Sequence, residues 1–150
     1  MAVNKPALES LLGSFFANLP PGNDPGSARS TCAALWAASM QAYAMSVTPP
    51  STQVVTAAVN LRAQLVSAFN GNIDQILVNM ETAFSVFATM VALGMTGGVP
   101  APPPGPVGFA DLNSPASTPY EAATNWANKI HAWFITGTLT PPSGPVVNWS

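Results

Sequence analysis

The chain has 150 residues, a formal charge of −2 and 7% charged side chains, against roughly 25% in ordinary globular domains. With 48% hydrophobic residues, four Trp and seven Phe, it is too apolar for a disordered segment. Its four basic residues (Lys5, Arg29, Arg62 and Lys129) are too scattered to neutralise a run of phosphates, so nucleic-acid binding is disfavoured.

The length suits one helical domain, residues 1–150, with a surface of small neutral side chains. MAVNKPALESLLGSFFANLPP is read as an amphipathic helix and not a secretory signal. Glu9 interrupts its apolar stretch, Lys5 is the only positive charge ahead of it, and no A-x-A site follows. Asn4 is its expected cap, Pro6 fits the first turn, and Leu8, Leu11, Leu12, Phe15 and Phe16 form its inner stripe. The run from Leu19 to Ser27 breaks it.

Asp24-Pro25 marks a second helix start, running to about Val47, with Ala28, Cys32, Leu35, Trp36, Met40 and Tyr43 inward. VTPPS ends it. Ser51 or Thr52 should cap a third helix over 52–70, with Val54, Ala58, Leu61, Leu65 and Ala68 or Phe69 inward and Arg62 outward. The short Asn70-Gly71-Asn72 turn predicts an antiparallel pairing with a fourth helix.

That fourth helix spans most of 72–98, capped by Asn72 and stopped at Gly97-Gly98. Ile73, Ile76, Leu77, Met80, Phe84, Phe87, Val91 and Met95 recur at helical steps. Asp74 and Glu81 lie seven residues apart, too far to share a proton, and read as a solvated edge. From 82 to 110 no ionisable side chain occurs, so the back of the helix is neutral and calls for protein on both sides or lipid on one.

Residues 99–117 hold six prolines and cannot be helical, yet Val99, Val107, Phe109 and Leu112 have no reason to stay in water. An extended, polyproline-like strap against this chain or a neighbour is expected. Thr118, Pro119 and Glu121 spell a capping box, starting a last helix to about Ile135 with Ala123, Trp126, Ala127, Ile130, Trp133 and Phe134 inward and Gly137 ending it. The arm 138–150 carries Val146, Val147 and Trp149, which should dock in cis or in trans.

The expected fold is therefore all-α: an antiparallel bundle of four to five helices (four within 1–98, one over 118–137) with a Pro-rich strap and an extended arm. Groups for chemistry are sparse. Cys32 is the single cysteine, without the neighbouring positive charge that activates a thiol. His131 lies neither three nor four residues from Glu121 or Lys129. No metal spacing, phosphate loop or nucleophile elbow occurs, and GMTGG follows a helix where a dinucleotide cradle would follow a strand. The expectation is a non-enzyme without catalytic, cofactor-binding or metal residues.

In low charge, apolar content, proline strap and terminal arm, the chain resembles the small decoration, neck or tail proteins of tailed-phage virions. The resemblance implies a structural subunit, located in a virion, whose partners are copies of itself and other structural proteins. The residues expected at such interfaces are Phe87, Val91, Met95, Val99, Val107, Phe109, Trp126, Trp133, Val146, Val147 and Trp149. A holin-like membrane protein with 82–99 in the bilayer is disfavoured. The segment barely reaches the length of a span, and no Lys or Arg anchors either end. A soluble helical adaptor is the remaining alternative.

Overall fold

A computed structural model describes residues 2–18, 25–112 and 116–150. The expected break from Leu19 and the Asp24 cap fall outside them. Among the described residues there are five helices, α1 (Lys5–Ala17), α2 (Pro25–Ala44), α3 (Val54–Ala68), α4 (Ile73–Leu93) and α5 (Pro119–Phe134). Three short strands join them: β1 (Val99–Ala101), β2 (Thr138–Thr140) and β3 (Val147–Asn148). The chain is thus mostly helical, but the all-α expectation needs correction.

The sheet is built from the two segments expected to be extended strap and arm. Its order is β1-β2-β3, antiparallel throughout, with Val99 opposite Thr140, Ala101 opposite Thr138 and Leu139 opposite Val147. Pro100 is tolerated because β1 is an edge strand, where a missing N–H costs no ladder bond. Strands of two or three residues are too short to show an alternating pattern, so periodicity could not reveal them.

Local chemistry sets the helix ends. Asn4 Oδ1 accepts the Ala7 N–H at 3.0 Å and starts α1 as expected. Asn72 caps α4 and, with Gln75, closes a reciprocal box. α4 stops at Leu93, four residues before the expected Gly97, because the entry to α3 crosses its end. Ser51 pairs with Met95, the Thr52 N–H donates to Gly94 O at 3.1 Å, and the Ser51 hydroxyl donates to Val91 O at 2.6 Å. A Cβ on Gly94 would stand 2.6 Å from Gln53 N, so only glycine admits this crossing. The Ser51 hydroxyl, expected as a cap, also accepts the Gln53 N–H at 3.2 Å, just ahead of the helix itself. α3 starts behind Gln53, which makes no side-chain cap bond. At α5, Thr118 Oγ1 accepts the Glu121 N–H at 3.0 Å, but the Glu121 carboxylate returns to the N–H and hydroxyl of Ser117, one residue outside the expected box.

The two apolar faces of α4 both meet protein. Leu77, Met80, Ala83, Phe84, Phe87, Ala88, Val91 and Ala92 are buried, with α3 on one side and the segment after β1 on the other. Trp36 of α2 stands edge-on to Phe84 at 5.7 Å and tilts against Trp126 of α5 at 5.3 Å. Phe109 completes the cluster, 5.0 Å from Phe84 and 4.8 Å from Trp126. Such ring pairs add about 0.5–1.5 kcal/mol each beyond the area they bury. Further along, Tyr43 meets Phe134 at 5.3 Å and Phe87 meets Phe134 at 6.5 Å. Contacts that advance together along α2, α4 and α5 mean that these three helices run in the same direction.

The strap and the arm are docked in cis. The Phe109 N–H donates to Glu81 Oε1 at 2.7 Å, so Glu81 is not the solvated edge expected of it. Lys129 pairs with Asp111 at 2.7 Å, and the Trp133 indole N–H donates to Gly105 O at 3.0 Å. Trp149 is buried against Phe134 at 5.0 Å, its N–H bonded to Gly137 O at 2.8 Å. Thr48 and Ser150 exchange two backbone bonds of 2.7 and 3.0 Å.

Candidate functional site

Because α2, α4 and α5 run together, their first turns collect at one end of the molecule with Phe15 and Phe16 of α1 and with Phe69, which follows α3. There they enclose an apolar groove of about 780 Å³. Phe15 and Phe16 are adjacent in sequence, so they point about 100° apart on the helix. Phe15 is buried, and Phe16 is half-buried at the groove, standing 5.9 Å from Trp36 and 6.5 Å from Trp126. Cys32, Phe69, Ile76, Met80 and Ala122 line it further. Ser117, Thr118 and Pro119 form part of the rim, and Arg29 is the one charged side chain among the lining residues.

Burial pushes the Cys32 thiol pKa up, so the groove presents a neutral thiol and not a nucleophile. On the far side of the chain, the Tyr43 hydroxyl and His131 Nδ1 lie 2.9 Å apart. Burial drives the phenol pKa well above its usual value, so the tyrosine stays protonated, and which partner donates follows from the imidazole tautomer. Partial burial, then the nearby Lys5 charge, lowers the His131 pKa. This pair is a structural bond. Among the described residues no group of three or more His, Cys, Asp and Glu side chains is placed to hold a metal ion.

Of the eleven residues expected at interfaces, Phe87, Val91, Met95, Val107, Phe109, Trp133 and Trp149 are buried inside this chain and cannot reach a neighbour. That expectation is corrected for these seven, while the rest of the neutral run 82–110 mixes buried, half-buried and exposed positions. Trp126 is half-buried at the groove. Val99, Val146 and Val147 are exposed, Val99 to 71%. Leu11 and Leu35, expected inward, are also exposed.

Apart from Ile73, which was expected on the inward stripe of α4 and is exposed, the larger apolar surface lies where the sequence was read as ordinary outer helix. On α3, Val55, Val59 and Val66 are exposed beside Arg62, with Val59 at 67%. On α4, Ile73, Val78 and Leu93 are exposed, with Leu93 at 76%. The spacing 55, 59, 62, 66 follows alternating steps of four and three, the repeat of a helix seam. It was legible in the sequence as a second stripe beside the inward one.

No protein-family model matches the chain, and no curated protein or solved structure matches it.

Proposed function

We propose that the protein is a non-enzymatic structural subunit of a larger assembly, of the kind found in tailed-phage virions, and that it binds copies of itself and other structural proteins. The carrying observation is the exposed seam of Val55, Val59 and Val66 on α3. Interface cores lose charged residues and bury apolar ones. A helix that presents three valines and one arginine to water at seam spacing is matched to a second helix. Within each subunit the helices act as a bundle, with α1 to α4 antiparallel in sequence order and α5, after the strap, packed along α1. The small sheet fastens strap and arm in cis, which leaves outer helix faces, and not arms, to make the contacts.

Purifying the particle that carries this chain tests the reading. Stoichiometric incorporation is expected, with concentration-dependent self-association of the isolated protein in sedimentation. A monomer at high concentration with no particle carrying it would favour a soluble adaptor.

A membrane-inserting role has one observation in its favour: α4, at 21 residues, is long and apolar enough to cross a bilayer. The core helix of a folded protein meets the same criterion. The segment 82–99 is also not one helix, since α4 ends at Leu93 and Val99 opens β1. A requirement for detergent to keep the protein monodisperse would favour this second reading.

A further inference from the structure

We propose that the groove at the start of α2, α4 and α5 binds an elongated apolar molecule with one anionic head, a medium-chain fatty acid being the simplest of the class. Its volume of about 780 Å³ falls inside the roughly 300–1,000 Å³ of pockets that take small ligands. Phe16, Phe69, Ile76 and Trp126 are only partly buried by the chain itself, so an apolar occupant removes further hydrocarbon surface from water. An incoming peptide would also bring N–H and C=O groups needing partners. The polar groups at the rim are already engaged, with Ser117 bonded to Glu121 and the Thr118 hydroxyl capping α5. A hydrocarbon chain brings no such demand.

Arg29 selects the head group. It precedes Trp36 by seven residues, about 10 Å along α2, so it lines the groove well apart from the Trp36–Trp126 pair. A planar guanidinium fits a carboxylate through two parallel bonds, and its five donors let it serve more than one acceptor at once. Among the described residues no acidic side chain lines the groove to repel an anion. The site does not depend on the assembly reading.

The test is a titration of the full chain with cis-parinaric acid, following energy transfer from tryptophan, then competition by dodecanoate and by dodecanol. Saturable one-to-one binding is expected, with dodecanoate displacing the probe at least about tenfold better than dodecanol, as a charge-assisted bond implies. Ala122→Trp should fill the groove and abolish binding with the circular dichroism unchanged, and Arg29→Gln should bring dodecanoate to the level of dodecanol. If Arg29→Gln fails to fold, the acid-to-alcohol ratio in the unaltered protein decides. Absence of saturable binding, binding unchanged in Ala122→Trp, or equal affinity for acid and alcohol would each overturn the proposal. So would a dimer that takes up no probe, which would give the groove to a second copy.

Discussion

Glu81 of α4 and Phe109, 28 residues later, are joined by a 2.7 Å bond from the Phe109 N–H to the Glu81 carboxylate. The ring that follows this N–H closes the cluster of Trp36, Phe84 and Trp126, so one carboxylate registers the proline-rich segment against the aromatic core. Glu81→Ala leaves a buried residue's N–H without its charged acceptor and should cost about 1.5–3 kcal/mol in urea unfolding. Glu81→Gln keeps a carbonyl acceptor and should cost less. Amide exchange at Phe109 checks the local effect. An unchanged rate in Glu81→Ala would mean that the bond does not hold this segment in place.

The indole of Trp149 lies over the backbone of Gly137. A Cβ there would fall about 2.6 Å from ring carbons, a distance that real contacts essentially never show. Trp149→Ala should destabilise the chain by about 3–5 kcal/mol, the usual cost of emptying a buried aromatic site. Gly137→Ala should displace the ring and cost a comparable amount. If ring and glycine act as one unit, the double variant is little worse than Trp149→Ala alone, and strict additivity in a thermal-melt cycle would refute the coupling. Removing residues 141–150 should therefore weaken the core itself, not only an assembly contact.

These two contacts mark the boundary of what could be read from the sequence. The apolar steps of α4, the Asn4 and Asn72 caps and the Thr118 start of α5 depend on groups within four residues, and apart from the exposed Ile73 each lies where the pattern put it. The strap's seat on Glu81, the sheet and the close approach at Gly137 join residues at least eight apart, for which a single sequence holds no local signal. The groove was half legible: adjacent Phe15 and Phe16 cannot both enter one core. The seam on α3 was also present as spacing, but its meaning depends on nothing else in the chain covering it.

Acidification should weaken the fold through His131. Burial and Lys5 hold its pKa below 6.5, so the unfolded chain binds a proton more readily than the native one. Its contribution is complete above pH 6.5, declines as the pH falls below 6.5 towards the lowered native value, and flattens beneath that. The urea midpoint should drop between pH 7.5 and 5.5, and the drop should shrink in His131→Gln, which cannot titrate. An equal drop in that variant would assign the effect to other groups.

The α3 seam gives the last prediction. Val55, Val59 and Val66 are exposed, so replacing all three with serine removes no contact within the chain. Surface changes of this kind usually stay within about 0.5 kcal/mol each. β-branched valine is also no better a helix former than serine, so helical propensity gives no reason to expect a loss. Self-association is the quantity that should change. Seam packing loses apolar area at three successive positions on each copy, at about 25 cal/mol per Å², and sedimentation equilibrium should show weaker association at unchanged thermal stability. A variant that associates as strongly as the parent would move the contact to another face, with the exposed edge carrying Val99, Val146 and Val147 next to be tested.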